Sequence, residues 1–211
     1  LHYLMKNHIN LKIKEILKLG VQNQKEKNFK EAIKNYENII KIDPSIVFAY
    51  HNLGLIYVEI ENIDLAKKNF LLAIKINPSF IYSYINLGIL FQNEGQKEKA
   101  IECFEKIIEI DPKNISGYNN LGLVNASLGK YKKALKNYLK TLSIDSSNII
   151  AIKSIIFLLT YHVSDNDHPI INANNELRLL KQDHKLINLL TKENLSLMLK
   201  RSIEILNKIS I

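Results

Sequence analysis

The sequence contains three similar stretches, YHNLG, YINLG and YNNLG, each with an asparagine at its third position. These residues, Asn52, Asn86 and Asn120, are spaced 34 residues apart. A carboxamide can donate and accept hydrogen bonds at once, so it can pair with the N–H and C=O groups of another polypeptide. A row of such groups would hold an extended peptide by its backbone. The competing interpretation is that Asn is only tolerated on a solvated helix face, in a chain rich in this residue.

Residue types that catalyse reactions or bind metals do occur, but without the spacing that such chemistry requires. In YHVSDNDH, residues 161–168, the two residues after His162 are Val and Ser, so the His-x-Asp pair of an iron site is missing. We interpret this stretch as a polar loop. The single cysteine, Cys103, precedes a core aromatic position and is expected to be a structural thiol. We therefore expect no catalytic residue, no metal site and no cofactor.

The composition of the 211 residues favours helices and restricts the possible partners. Apolar residues make up 46%, whereas there are only seven Gly and four Pro. A formal net charge of +8 favours an acidic partner, nucleic acid or an anionic membrane surface. One cysteine permits no intrachain disulfide, which is typical of a reducing compartment, and we expect a cytoplasmic location. The most apolar run, residues 149–163, contains Lys153 and is too short to span a bilayer.

Four further series of residues share the 34-residue period. They are prolines at 44, 78 and 112, with Ser at 146; alanines at 32, 66, 100 and 134; glycines at 20, 54, 88 and 122; and aromatics at Tyr36, Phe70, Phe104 and Tyr138. A period of this length indicates a repeat architecture, in which each unit buries its apolar face by stacking on its neighbours.

The positions within one period indicate helices. Tyr50, Leu53, Gly54 and Tyr57 are spaced i, i+3, i+4 and i+7, which places them on one face of a helix. A glycine inside a helix costs about 1 kcal/mol relative to alanine. Its recurrence therefore predicts that two helices approach closely at this point.

These residues and their common phase resemble the tetratricopeptide repeat, which consists of two antiparallel helices per 34 residues. The resemblance implies an all-α fold, a right-handed α-solenoid of four helical hairpins with a helical C-terminal cap. The repeats would span 13–46, 47–80, 81–114 and 115–148, after an N-terminal helical extension 1–12. Asn23, Asn125, Thr141 and Ser146 depart from the family pattern and weaken the outer repeats.

Residues 149–211 are expected to form either a helical cap or a linker to a downstream domain missing from this chain. The first helix of this segment continues the repeat pattern with Ile152 and Ile155. Because Ile149, Ile150 and Phe157 make the same helix apolar nearly all round, we expect it to be buried. Two or three further helices are expected between residues 170 and 209.

The family resemblance also implies a binding surface, because the repeated Asn positions of such proteins line a concave groove. The pattern is similar to the superhelix of O-linked GlcNAc transferases, where an asparagine ladder holds substrate peptides. Leu17 and Val21 stand where some family members carry a Lys and an Asn that hold the carboxylate of chaperone tails, so this clamp is not expected. The candidate peptide-binding residues are Lys14, Lys18, Phe48, His51, Asn52, Leu55, Tyr82, Asn86, Ile89, Asn119, Asn120 and Leu123.

Three functional hypotheses follow. The first is a non-catalytic scaffold that binds a protein or peptide in the groove. The second is the substrate-recruiting region of a larger modifying enzyme, since similar arrays in bacterial sequences often precede a 2-oxoglutarate/Fe(II) oxygenase or an O-GlcNAc-transferase-like glycosyltransferase. The third is nucleic-acid binding by the lysines of residues 130–140. Tyr131 is the only stacking platform among them, so a solvated outer face is favoured.

Overall fold

The structure is a computed structural model that describes the backbone of residues 2–160 and the side chains of residues 9–155, 157 and 158. Within that range every regular element is a helix. The helices are α1 (His2–Lys25), α2 (Phe29–Ile42), α3 (Val47–Glu59), α4 (Ile63–Ile76), α5 (Ile81–Asn93), α6 (Lys97–Ile110), α7 (Ile115–Ser127), α8 (Tyr131–Ile144) and α9 (Ile149–Thr160). They pack in consecutive pairs, so the predicted all-α fold of helical hairpins is confirmed.

The described residues group into two compact units, one ending at Lys106 and the other beginning at Ile107. In the first unit, α1 is continuous from His2 to Lys25, so the predicted N-terminal extension and the first repeat helix are one helix. The predicted boundary between residues 148 and 149 stays a prediction. The helices expected after residue 160, and the polar stretch 161–168, lie outside the described residues.

The predicted close approach of two helices at each repeated glycine is present, and the contact there is between the glycine and an aromatic ring. A Cβ atom placed on Gly54, Gly88 or Gly122 would lie 2.5 Å from a ring carbon of the aromatic residue sixteen positions later, and one on Gly20 would lie 3.0 Å from Tyr36. All four rings are fully or almost fully buried. The repeated alanines in the second helix of each pair, such as Ala66 and Ala100, are fully buried. Small residues at both positions thus allow the close approach.

The turns within pairs share one backbone conformation. Lys27, Glu61, Gly95 and Gly129 have φ angles of 60°, 60°, 75° and 70°, which is the left-handed region. After each of them, an N–H donates to a carbonyl oxygen five residues earlier, at 2.8 Å in all four turns. This is the pattern that ends a helix with a left-handed residue. Two of the four turns therefore pay a conformational cost that glycine would avoid.

The turns between pairs are closed by side chains. The side-chain oxygens of Asp43, Asn77, Asp111 and Asp145 each accept a hydrogen bond from the N–H two residues later, at 2.8 to 3.0 Å. Hydrogen bonds from the hydroxyl and the N–H of Ser45 lower the pKa of Asp43 below its ordinary value. The fourth turn keeps this closure although Ser146 replaces the proline, so the weakened match at that position does not alter the turn.

The helix α9 packs on α8 through one side. Ala151, Ile152, Ile155 and Leu158 are buried in a cluster with residues of α8, as the repeat pattern predicts. On the other side, Ile150 is 63% exposed and Phe157 is 56% exposed. The residues expected to cover that side follow residue 160 and lie outside the described residues, so the burial of the whole helix stays a prediction.

Candidate functional site

The predicted groove residues of the first unit lie mostly on one surface. We call it the first-helix face and define it as the surface of α1, α3 and α5 that carries Lys14, Lys18, Phe48, Asn52, Tyr82 and Asn86. Lys14 and Lys18 are exposed, Asn52 and Asn86 are half-buried, and Phe48 and Tyr82 are 55% and 62% exposed. Leu55 and Ile89 follow the asparagines by three residues, so they lie on the same helix faces.

The asparagine side chains of α5 and α7 are oriented by their own helices. Asn86 Nδ2 donates to the Tyr82 carbonyl oxygen at 2.9 Å, and Asn120 Nδ2 donates to the Ser116 carbonyl oxygen at 2.9 Å. Each bond uses one N–H of the carboxamide. The second N–H and the Oδ1 atom have no partner among the described residues, so they are available to a ligand. Asn120 belongs to the second unit, where Leu123 is exposed on the same helix.

Asn52 has an additional structural role that sequence reasoning missed. Its side chain hydrogen-bonds to Tyr36, which is fully buried between the helices of the first pair. Burial raises the pKa of Tyr36, and the hydrogen bond from Asn52 lowers it in part. The Tyr36 hydroxyl also donates to Gln24 Oε1 at 3.2 Å. Asn52 therefore links the first-helix face to the core, whereas Asn86 does not share this contact among the described residues.

The expectation that His51 lines the groove is not supported by its position. His51 is 8% exposed, and its Nδ1 atom lies 3.1 Å from Ser83 Oγ on α5. Its ring is surrounded by Phe70, Phe80 and Tyr82, with centroid distances of 5.6, 5.2 and 6.3 Å. Burial lowers its pKa to about 4, so it is neutral at pH 7. His51 thus joins α3 to α5 inside the first unit.

Asn119, at the corresponding position of α7, is also engaged within the protein. Its Nδ2 atom donates to Asn148 Oδ1 at 3.2 Å, and its Oδ1 atom accepts from Thr141 Oγ1 at 3.0 Å. Thr141 is fully buried. His51 and Asn119 each precede one of the repeated asparagines, Asn52 and Asn120, by one residue. Their side chains therefore point about 100° away from those asparagines around the helix. Both are therefore packing residues rather than free surface groups.

A cluster of rings holds the exposed aromatic residues of the first-helix face in place. Phe80, the residue before α5, is 8% exposed and packs edge-on against Phe48 at a centroid distance of 5.2 Å. It also contacts Tyr82, at 5.5 Å. Sequence reasoning missed Phe80 because it lies outside the helices, at the N-cap position of α5, where the helical periodicity does not apply. Two rigidly supported aromatic side chains thus face solvent and can pack against an apolar group of a ligand.

Other groups offer little chemistry in the part of the chain that the structure describes. Burial raises the pKa of the Cys103 thiol to about 11, so it is protonated and a poor nucleophile at neutral pH. The residues whose side chains are described include no group of three or more His, Cys, Asp or Glu able to hold a metal ion. None of the described helices is long and apolar enough to cross a membrane. The lysines at 132, 133, 136 and 140 are exposed on α8.

Known families and solved structures resemble this chain in its arrangement of helix pairs. A family model described as tetratricopeptide repeat matches residues 81–114 and 115–148, and a second model of that description matches residues 49–80. No curated protein sequence matches the chain. Among solved structures, MamA is 24% identical with a TM-score of 0.64, over 84% of this chain and 91% of that chain. PilF of Pseudomonas aeruginosa is 18% identical with a TM-score of 0.66, over 83% and 78%.

A third solved structure holds a ligand. The first TPR of Spaghetti (RPAP3), bound to the HSP90 peptide SRMEEVD, is 23% identical with a TM-score of 0.52, over 56% of this chain and 96% of that chain. At these identities the likeness concerns the fold. The family models, in agreement with the glycine–aromatic contacts and the paired helices, identify residues 49–148 as tetratricopeptide repeats.

Proposed function

We propose that the chain is a non-catalytic scaffold that binds an extended segment of a partner protein on the first-helix face. The observation that carries this proposal is the combination on α3 and α5 of a supported, exposed aromatic ring with an asparagine four residues later. Phe48 precedes Asn52, and Tyr82 precedes Asn86, by one helical turn. Such a pair offers an apolar contact for a side chain and a hydrogen-bonding group for the adjacent backbone.

The available atoms of Asn86 support backbone recognition. The bond from its Nδ2 atom to the Tyr82 carbonyl oxygen fixes the carboxamide before a ligand arrives, so less side-chain entropy is lost on binding. Three asparagines elsewhere, Asn69, Asn125 and Asn137, make the same bond to the carbonyl four residues earlier. The bond alone is therefore not a mark of a site. The placement of Asn86 beside an exposed ring on a first helix is what distinguishes it.

The solved complex of the Spaghetti fragment supports the class of ligand, since a peptide occupies a protein of the same fold there. We expect the binding by this chain to differ in detail, because Leu17 and Val21 stand where a carboxylate clamp would need a Lys and an Asn. Ordering an extended ligand offsets much of the contact free energy. We therefore expect micromolar affinity, on the order of −8 kcal/mol, for a single short segment.

The test is selection of a random twelve-residue phage-displayed peptide library on the immobilised chain. Peptides selected on the wild type are then measured by fluorescence anisotropy with the variants Asn86→Ala and Asn52→Ala/Asn86→Ala. Each lost hydrogen bond is expected to cost about 1 kcal/mol, so the double variant should bind about tenfold or more weakly. Asn137→Ala is the matched control, because Asn137 makes the same bond, to the Lys133 carbonyl oxygen at 3.0 Å, but lies on the second helix α8.

Two results would contradict the proposal. One is an unchanged affinity of the selected peptides for the double variant while circular dichroism shows that it is folded. The other is an equal loss in the Asn137→Ala control, which would mean that the asparagines act through general stability. Asn86→Ala alone is informative because Asn86, unlike Asn52, does not touch the buried Tyr36.

The recruiting region of a larger modifying enzyme remains the alternative. A first-helix face that binds substrate segments would serve either arrangement in the same way. The DNA sequence downstream of the codon for Ile211 distinguishes them, since a continuing reading frame with a catalytic domain would assign the chain to the enzyme.

A further inference from the structure

The first-helix face has an unbalanced positive charge on α1. This helix carries five lysines and one acidic residue, Glu15. Lys14, Lys18 and Lys25 occupy one side of it, separated by four and seven residues. None of the three forms an ion pair among the described residues. Glu26, just after the helix, accepts a hydrogen bond from Gln22 instead.

The same three lysines border a cleft of about 510 Å³. Its remaining lining residues are Leu17, Val21 and Gln22, so the floor between the charges is apolar. Val21 and Lys25 also line an adjoining cleft of about 330 Å³, whose other lining residues include Lys27 and, on α3, Glu59. Lysines therefore border both clefts, and Glu59 is the one acidic residue among the residues that line them.

We propose that this α1 cleft binds an internal partner segment in which acidic side chains flank an apolar side chain. The inference rests on the proposed function and names the partner chemistry at one end of the first-helix face. The apolar side chain would pack on Leu17 and Val21, while carboxylates on either side would pair with Lys14 and Lys18. Because the carboxylates belong to side chains, a free C-terminus is not required.

Fluorescence anisotropy with defined peptides tests the proposal on the full chain. The probe is a labelled, C-terminally amidated peptide with a central Leu flanked by Glu, and the comparison peptide replaces each Glu by Gln. The double variant Lys14→Gln/Lys18→Gln should bind the acidic peptide about tenfold more weakly, since an exposed ion pair contributes a factor of about two to five. The control Lys68→Gln/Lys75→Gln changes the net charge equally on the exposed side of α4.

A second readout separates binding from a structural role. Like charges four residues apart destabilise a helix, so the Lys14→Gln/Lys18→Gln variant should keep or slightly raise the melting temperature. Structural lysines would instead lower it on replacement. Raising the salt concentration from 50 to 500 mM, on the order of a threefold shorter Debye length, should weaken the acidic peptide and leave the Gln peptide unchanged.

Several outcomes would overturn the inference: equal affinity for the Glu and Gln peptides, equal loss in the α4 control, or binding that requires a free C-terminal carboxylate. Tighter capture of a single-stranded oligonucleotide than of the acidic peptide by Lys14 and Lys18 would overturn it in favour of nucleic acid. If library-selected neutral peptides still depend on Asn86, the proposed function stands and only the acidic specificity fails. Loss of the Asn86 dependence would refute the proposed function itself.

Discussion

Replacing Gly88 by alanine isolates the contact that sets the spacing of a helix pair. An added Cβ would lie 2.5, 2.8 and 3.1 Å from Cε1, Cζ and Cδ1 of Phe104. Carbon atoms in contact are normally about 3.5 to 4.0 Å apart, so the overlap is roughly 1 Å. Phe104 is fully buried and cannot turn into solvent. The helices, or the ring, must therefore move.

Two opposing free energies decide the result for Gly88→Ala. Alanine favours a helix interior over glycine by about 1 kcal/mol. Overpacking a closely packed core costs about 1 to 3 kcal/mol, and a backbone-proximal overlap of this size belongs at the upper end of that range. We expect a net loss of about 1 to 2 kcal/mol in the free energy of unfolding.

Gly20→Ala is the matched control within the same unit. Its Cβ would lie 3.0 Å from the Tyr36 ring, an overlap of about half the size. The gain in helix propensity should then nearly cancel the crowding, and stability should change by less than about 0.5 kcal/mol. The difference between the two variants measures the crowding itself, because the change in helix propensity is the same in both.

Urea unfolding followed by circular dichroism at 222 nm, together with amide hydrogen exchange, measures both variants. Hydrogen exchange is needed because repeat arrays do not always unfold as one cooperative unit. The loss for Gly88→Ala should appear as faster exchange in α5 and α6. The further variant Gly88→Ala/Phe104→Leu should show a favourable coupling, since the smaller side chain relieves the overlap. A Gly88→Ala protein as stable as the wild type would refute the packing argument.

Three other outcomes are expected. Burial lowers the pKa of His51 from its ordinary 6.5 to about 4, so the contribution of the neutral ring to stability is complete above pH 6.5 and is lost as the pH falls toward 4. At about 1.4 kcal/mol per pKa unit this loss is about 3 kcal/mol at most, and urea titrations at pH 7 and pH 4.5 should show a smaller difference for His51→Gln. Glu61→Gly should raise the free energy of unfolding by about 0.5 to 1 kcal/mol, because the left-handed φ of 60° is costly for glutamate. Gly95→Ala, at the corresponding turn, should lower it by a similar amount in the same assay. These expectations would be contradicted if the stability of the wild type depended on pH in the same way as that of His51→Gln. A lower urea midpoint for Glu61→Gly than for the wild type would also contradict them.

The features that the sequence predicts correctly are those whose partners are a fixed number of residues away. The close approach at Gly88 recurs in every pair, so the period predicts it, and the structure adds that its partner is Phe104, sixteen residues later. The closure of the turn at Asp43 depends on residues two positions apart. Such short-range contacts recur once in each repeat, and four copies fix the phase of the 34-residue period.

The burial of residues at the edge of the apolar face of a helix is harder to predict from the sequence. Helical geometry puts His51 and Asn119 between the core and the predicted groove, and only the adjacent pair decides whether they are buried. His51 meets Ser83, and Asn119 meets Asn148 and Thr141, through contacts between residues 22 to 32 positions apart.

The self-contained closure of the turns between pairs bears on how such a chain can change in length. In each turn between pairs, one side chain accepts a hydrogen bond from the backbone N–H two residues later; these residues are Asp43, Asn77, Asp111 and Asp145. This hydrogen bond is local to the turn and involves no distant residue. A duplication or deletion of one whole period would leave each remaining junction intact. Gene recombination could therefore add or remove whole repeats one at a time. The length of the proposed binding surface would then change without the need for a new kind of turn.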